Sequence, residues 1–175
     1  MMIFAKNLSR CLAALSCFAI LSASQGYETR LEERLLAAHN RERAATGIPM
    51  LEWDARLASD AQEWADRLSA SGTFSHAPTN PQDPRFGENI WGGSNGVFSP
   101  EHMVGRWIAE KKHFKAGEFP DNSSTGNVAD VGHYTQVIWR DTDKVGCGLS
   151  KLGDEEILVC RYSDPGNVVG QNPFG

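Results

Sequence analysis

The chain has 175 residues, of which 41% are hydrophobic, 22% charged and 9% aromatic, a composition typical of one globular domain and unlike that of a disordered chain. Seventeen Lys and Arg residues against 22 Asp and Glu residues give a formal net charge of −5. This acidic balance argues against a nucleic-acid partner, which requires a basic surface, and against adhesion to anionic membranes.

The first 26 residues have the organisation of a secretory signal peptide. Lys6 and Arg10 form a basic start, and the mostly apolar run over residues 11–21 is too short to span a bilayer. Small residues follow, so we predict cleavage between residues 23 and 27. We therefore expect a secreted protein, extracellular or periplasmic, with no stable membrane anchor and with a single domain over residues 27–175.

Two helices and a long loop are predicted next. The first helix begins at the capping-box pair Thr29 and Glu32 and ends at Gly47. The second spans residues 54–71, where apolar residues recur at helical spacing. Residues 72–98 are rich in Gly, Pro, Asn and Ser, which predicts a loop with a turn at Gly92-Gly93. A loop of this length in a small domain suggests a functional role.

A third helix is predicted to begin at Ser99, which has the residue type of an N-cap. Its apolar stripe continues through Trp107 to Phe114 and includes Glu110 at a core-facing position. Burying an isolated charge is costly, so Glu110 should have a partner unless it lies at the edge of the stripe and reaches water. A second polar loop is expected over residues 117–130.

The last third of the chain predicts strands, at residues 135–140, 145–149 and 157–162. Gly153-Asp154 is a two-residue hairpin turn signal. The hairpin register then pairs Lys151 with Glu156, Leu149 with Leu158, and Cys147 with Cys160. The two cysteines remain after signal cleavage and fall at a close, non-hydrogen-bonded position, so we predict a Cys147–Cys160 disulfide.

Several motifs, in order along the chain, resemble those of the CAP superfamily, which holds cysteine-rich secretory proteins, insect venom allergens and plant pathogenesis-related proteins. Two stretches resemble its signatures, residues 132–139 (GHYTQVIW) and 157–167 (ILVCRYSDPGN). Residues 74–76 (FSH) and 87–89 (GEN) also agree. The resemblance covers about residues 30–170. It implies an α+β fold, a three-layer α-β-α sandwich with a small antiparallel sheet.

The resemblance also implies a site. The central cleft of the family holds two histidines and two glutamates, which the motifs place on His76, Glu88, Glu110 and His133. Two imidazoles and two carboxylates suit a divalent metal of the zinc type, and one of the glutamates is expected to complete the shell or orient its water. The same four groups would alternatively hydrogen-bond to one another without a metal.

Three functions remain open. The first is a secreted binding or defence-type protein, whose cleft holds a divalent metal and a small lipid, sterol or peptide ligand. The second is a metal-dependent extracellular hydrolase, such as a peptidase. The third is a structural domain with a buried polar network. The chain has no His-Glu-x-x-His motif, so we favour a protein without catalytic residues. We also expect a monomer.

Other candidate residues have simpler interpretations. His39, His102 and His113 are expected to be structural or on the surface. Residues 91–98 lack a clear aromatic pattern like that of the sterol-binding loop in lipid-exporting relatives, which weakens a sterol assignment. Asn122 begins an Asn-Ser-Ser triplet that fits an N-glycosylation acceptor in a eukaryotic host.

Overall fold

The computed structural model describes residues 30–78 and 86–175, so the predicted signal peptide and Thr29 lie outside the described residues. Residues 30–46 form helix α1, followed by strand β1 (Glu52–Trp53) and helix α2 (Ala55–Ser71). The later elements are β2 (Gly87–Ser94), α3 (Pro100–Ile108), α4 (Gly132–Val137), β3 (Lys144–Leu152), β4 (Glu155–Tyr162), and 3-10 turns at Ala109–His113 and Val128–Asp130. No helix among the described residues is long and apolar enough to cross a membrane.

Local caps set the ends of α2 and the start of α3, and the cap at Ser99 is the predicted one. The Asp54 side chain accepts hydrogen bonds from the backbone N–H groups of residues 56 and 57 at the start of α2. Gly72 closes α2 in the left-handed conformation, with φ at 64°. Ser99 caps α3 through the N–H of His102, and Pro100 occupies the first turn. Both predicted helices are confirmed.

The strands form one four-stranded sheet in the order β1-β3-β4-β2. Strand β4 pairs antiparallel with both neighbours, and the short β1 adds in parallel to β3. The hairpin register is the predicted one, since its Cα partners include Lys151 with Glu156, Leu149 with Leu158, and Cys147 with Cys160. The predicted disulfide is present, with the two Cα atoms 4.1 Å apart.

Helices cover both faces of the sheet. On one face, α2 packs its small and apolar residues against Ile90, Ile157 and Val159. Gly146 and Gly148 of β3 allow this approach, because a Cβ at either position would lie 2.2–2.3 Å from the α2 backbone. The other face carries the larger core, to which α1, α3 and α4 contribute. This is the predicted three-layer α-β-α arrangement.

The predicted loop over residues 72–98 is wrong in part, because residues 87–94 form β2. Gly92 and Gly93 lie inside this strand and make no turn. The absence of a side chain at both positions leaves room for neighbouring aromatic rings. A Cβ at Gly92 would lie 3.0 Å from the Phe74 ring, and one at Gly93 would lie 2.5 Å from the Trp91 ring. Tertiary contact with aromatic rings, which strand propensity does not register, therefore selects glycine here.

The predicted strand over residues 135–140 is also wrong, because residues 132–137 form α4. The N–H groups in the first turn of α4 have no partner within the helix, and the Glu110 carboxylate accepts those of His133 and Tyr134 at 3.0 and 3.1 Å. At the other end of the helix, the fully buried Arg43 donates to the carbonyl of its last residue, Val137, and to that of Trp139, at 3.0 and 2.8 Å. These distant partners override the β propensity of the segment.

Candidate functional site

The first histidine–glutamate pair joins the segment after α2 to strand β2. His76 Nδ1 lies 2.9 Å from Glu88 Oε1, and the same oxygen accepts the Ala77 N–H at 3.0 Å. The Glu88 side chain is 7% exposed, whereas the imidazole is 62% exposed. The hydrogen bond that the imidazole donates to Glu88 raises the pKa of His76, against the smaller, opposing effect of burial.

Arg161 is the positive partner of this pair. It lies directly across from Glu88 in the β2–β4 register, and its Nε donates to Glu88 Oε2 at 3.3 Å. The guanidinium is 4.1 Å from the centre of the Phe86 ring, and its side chain is 10% exposed. The charge of the buried Glu88 is therefore balanced by an equally buried cation.

The second pair joins the 3-10 turn after α3 to helix α4. His133 Nδ1 lies 2.6 Å from Glu110 Oε1, and Glu110 Oε2 accepts two backbone N–H groups at the start of α4. The carboxylate that lies in an apolar stripe therefore has three donors. This confirms the prediction that Glu110 requires a partner.

Two further contacts hold His133, one on its ring and one on its main chain. The Trp107 ring lies parallel to it within 11°, with the ring centres 6.4 Å apart. Asn89 Nδ2 donates to the His133 carbonyl at 3.1 Å. The main chain of His133 is thus bound at both its N–H and its C=O, which fixes the side chain before any ligand arrives.

A buried network supports Asn89 from behind. Its Nδ2 also donates to the Tyr162 hydroxyl at 3.2 Å, and that hydroxyl lies 2.9 Å from His39 Nε2. His39 Nδ1 faces the Leu35 carbonyl at 2.8 Å and must donate to it, so Nε2 accepts from Tyr162. Burial lowers the pKa of His39 to about 4 and keeps this ring neutral. The expected structural role of His39 agrees with these contacts.

The structure brings the four predicted residues into two pairs. Among residues 30–78 and 86–175, no three His, Cys, Asp or Glu side chains lie close enough together to hold a metal ion. In both pairs, however, the imidazole turns Nδ1 to a carboxylate and keeps Nε2 for a ligand. This is how histidines that bind zinc are oriented, so the donor chemistry fits such an ion. The role predicted for one glutamate as a direct ligand stays a prediction.

Sequence reasoning missed the residues that position this site. Arg161 and Asn89 lie within quoted motifs, but a motif does not show that one balances Glu88 and the other binds the His133 main chain. The remaining candidates do not join the pairs. His102 stacks on Phe98 with ring centres 4.8 Å apart. Asn122 is fully buried, so the folded chain does not present the predicted glycosylation acceptor.

Comparison with known proteins gives a consistent result. The model of the cysteine-rich secretory protein family, CAP, matches residues 36–162. The chain is 32% identical over 163 residues to pathogenesis-related protein 1B of Nicotiana tabacum, covering 93% of this chain and 91% of that protein. It is also 32% identical over 149 residues to secreted protein RBT4 of Candida albicans, covering 83% of this chain and 38% of that protein.

Solved structures support the fold. The crystal structure of NaASP2 with Zn²⁺ aligns with a TM-score of 0.69 at 22% identity, covering 81% of this chain and 83% of that one. BmVAL-1 aligns with a TM-score of 0.69 at 22% identity, covering 82% and 81%. These likenesses confirm the α-β-α sandwich. Because the family model spans most of the chain and the Nicotiana tabacum protein matches it at 32% identity over most of both chains, the chain belongs to the cysteine-rich secretory protein (CAP) family.

Proposed function

We propose that this chain is an exported binding protein of defence type, and that His76 and His133 hold a divalent metal ion of the zinc type through Nε2. The observation that carries the metal proposal is the shared contact of both imidazoles. Each gives Nδ1 to a carboxylate oxygen, at 2.9 Å for His76 and 2.6 Å for His133. A neutral imidazole with its Nδ1–H so engaged directs the Nε2 lone pair outward.

The remaining residues of the site orient these two donors. Glu88 and Glu110 fix the tautomer of each ring, and Arg161 balances the charge of Glu88. Trp107 holds the plane of the His133 ring. A bound metal would supply a positive centre for an oxygen or nitrogen atom of a further ligand. A small lipid or peptide as that ligand, and a monomeric state, stay predictions.

Export and a defence role have separate support. The basic start and the apolar run over residues 11–21 have signal-peptide organisation. The Cys147–Cys160 disulfide suits an oxidising compartment. One relative is named a pathogenesis-related protein and another a secreted protein. N-terminal sequencing of the secreted protein tests the cleavage, since soluble protein that retains Met1 would contradict it.

Both glutamates are engaged in a way that favours binding over hydrolysis. Glu88 accepts from His76, the Ala77 N–H and Arg161, and Glu110 accepts from the His133 ring and two backbone N–H groups. A hydrolytic site requires a carboxylate or imidazole free to take a proton from water. The metal-dependent peptidase therefore remains the second candidate.

Titration calorimetry with zinc tests the metal site. We expect His76→Ala and His133→Ala each to weaken zinc binding by at least about 100-fold, since each removes a ligand and not merely a supporting group. His102→Ala is the matched control, because this exposed histidine lies outside both pairs. Zinc should also raise the melting temperature of the wild type and of the His102→Ala control, but not that of His76→Ala or His133→Ala. Equal affinity in all four proteins would place the site elsewhere.

The same samples distinguish the peptidase. Zinc-loaded wild-type protein is incubated with a peptide library, and cleavage is followed by mass spectrometry. Tight zinc binding without turnover supports the binding protein. Turnover that is lost in Glu88→Gln or Glu110→Gln would instead support hydrolysis, with that carboxylate as the base.

A further inference from the structure

A groove of about 590 Å³ opens where the end of α2 meets the tip of the β3–β4 hairpin. Its lining includes Leu68, Gly72, Phe74, Gly92, Leu152 and Ile157. None of the four site residues lines it, so it is distinct from the histidine–glutamate pairs.

The groove has a buried apolar floor and an exposed apolar rim. Leu68 and Ile157 form the floor and are 1% and 7% exposed. Phe74 and Leu152 stand on the rim and are 61% and 58% exposed. The Phe74 ring lies against Gly92, where a Cβ would approach it to 3.0 Å. Large apolar side chains left exposed together around a concavity are typical of an interaction site.

The electrostatics of the groove favour a cation. Glu155 and Glu156 are the charged residues in its described lining, which contains no Lys or Arg. Glu156 Oε2 is used elsewhere, by the Gly96 N–H and Lys151, and its Oε1 is buried, so the exposed Glu155 remains as the acceptor at the groove. The 17-residue α2 also ends here with no basic residue in its last turn, and the negative end of its dipole adds to the field.

The sheet edge beside the groove offers main-chain groups. Strand β2 is an edge strand, paired with β4 alone. Cys147 and Cys160 form a close, non-hydrogen-bonded pair, so the main-chain groups of Cys160 face β2 and bond to its partner there, Asn89. Because hydrogen-bonded and non-hydrogen-bonded pairs alternate along the strand, the N–H and C=O of Ile90 and Gly92 face away from β4. The Ile90 carbonyl already accepts a hydrogen bond from Trp107 Nε1. Gly92 is exposed, and within residues 30–78 and 86–175 no main-chain group bonds to its outward-facing N–H and C=O.

We propose that this groove binds an extended peptide segment of basic and apolar character. An apolar side chain lies between Phe74 and Leu152, and a lysine or arginine two positions along the peptide reaches Glu155. Residues two apart in an extended chain share a face, as this geometry requires. The peptide backbone pairs with the outer edge of Gly92, as in strand addition. This peptide site goes beyond the proposed metal site and does not depend on it.

Nuclear magnetic resonance titration of the ¹⁵N-labelled protein tests this proposal. The probe is a blocked five-residue peptide with leucine and lysine two positions apart among threonines, and its control carries glutamate in place of the lysine. We expect amide shifts to concentrate at Phe74, Gly92, Leu152 and Glu155. The glutamate peptide should bind about tenfold more weakly, since it meets Glu155 with a like charge.

Variants locate the contacts. Phe74→Ser should weaken binding by about tenfold through lost apolar contact, and Glu155→Gln by about threefold. Met50→Ser is the matched control, because this residue is 64% exposed and does not line the groove. His76→Ala should leave peptide affinity unchanged, which separates this result from the fate of the metal site. Circular dichroism confirms that each variant is folded.

Five outcomes would overturn the proposal. The first four are no shift at about 1 mM peptide, equal binding of the lysine and glutamate peptides, wild-type affinity in Phe74→Ser, and Phe74-dependent self-association in the absence of peptide. The last of these, measured by sedimentation velocity, would assign the groove to a second copy of this chain. Binding of phosphatidylcholine vesicles in preference to the lysine peptide would also overturn it, in favour of a lipid.

Discussion

The two histidine–glutamate pairs share one contact but differ in how unevenly their two side chains are buried. In the first pair, Glu88 is 7% exposed and His76 is 62% exposed. In the second, the exposed fractions are 20% for Glu110 and 33% for His133. The first pair is therefore a buried anion with an imidazole attached from solvent. The second is a partly shielded unit in which ring, carboxylate and helix start are joined.

The two histidines are therefore positioned for a ligand in two different ways. His133 is fixed by ring stacking on Trp107 and by bonds at its own N–H and C=O. His76 depends on Glu88, whose position in turn depends on Arg161 and the Ala77 N–H. We infer that the second pair is preorganised for a ligand, whereas the first couples the ligand position to a buried ion pair.

The largest expected effect is the loss of the buried anion. Glu88→Ala leaves the Arg161 guanidinium without its carboxylate at a site where water has little access. Breaking a buried ion pair in this way costs about 3 kcal/mol or more, and urea denaturation of the variant measures it.

A double variant identifies the cause of this loss. Combining Glu88→Ala with Arg161→Leu removes both charges, so the double variant should be more stable than Glu88→Ala alone. A single-variant cost below about 1 kcal/mol would show that Arg161 finds water or another partner and that the pair is not an anchor.

Glu110→Ala is expected to cost less, about 2 kcal/mol. It removes the acceptor of two backbone N–H groups at the start of α4, but water reaches this partly exposed position. Hydrogen exchange is the specific measurement, since the amides of His133 and Tyr134 should lose protection while those of the β3–β4 hairpin keep it. Loss of protection across the whole sheet would show that Glu110 supports the fold and not only α4.

The elements that sequence predicted correctly have local causes. The hairpin follows from Gly153-Asp154 and from its register on either side, α2 follows from its apolar periodicity, and α3 follows from its cap at Ser99. Each signal lies within a few residues of the structure that it specifies. The two failures have distant causes. Helix α4 depends on Glu110 and Arg43, and β2 tolerates its glycines because of Phe74 and Trp91.

The candidate site also combines features that the sequence predicted with features that depend on distant contacts. The family motifs supplied His76, Glu88, Glu110 and His133, and the unusual place of Glu110 in an apolar stripe independently indicated a partner. Periodicity and composition did not reveal that each glutamate faces an Nδ1 atom. That arrangement requires residues 12 and 23 positions apart to meet in space. It follows from sheet register and helix packing, which no short segment encodes.

Asn89→Leu tests whether the bond to the His133 main chain matters for the proposed metal. We expect zinc affinity to fall about tenfold, in the range seen when a group supporting a ligand is removed. Tyr162→Phe is the matched control. It removes the hydroxyl that Asn89 and His39 share but keeps the Asn89 contact with the His133 carbonyl. The control should lose stability and bind zinc within about twofold of the wild type. Equal zinc affinity in all three proteins would contradict a positioning role for Asn89.

The smallest effect is the titration of His76. Glu88 raises the pKa of this histidine, chiefly through the hydrogen bond to Nδ1. A raised folded-state pKa means that the stability from this contact is fully present below the unfolded-state value. It is lost as pH rises through the folded-state value.

Glu88→Gln removes the charge and should return the His76 pKa toward its ordinary value, as measured by nuclear magnetic resonance of the imidazole carbons. Glu33→Gln, an exposed change on α1, should leave the His76 pKa unchanged. Because a metal binds the unprotonated ring, Glu88→Gln should also extend zinc binding to lower pH, provided that Nε2 is the ligand. A His76 pKa unaffected by Glu88→Gln would mean that this pair does not persist in solution, and the contrast with the second pair would then be greater still.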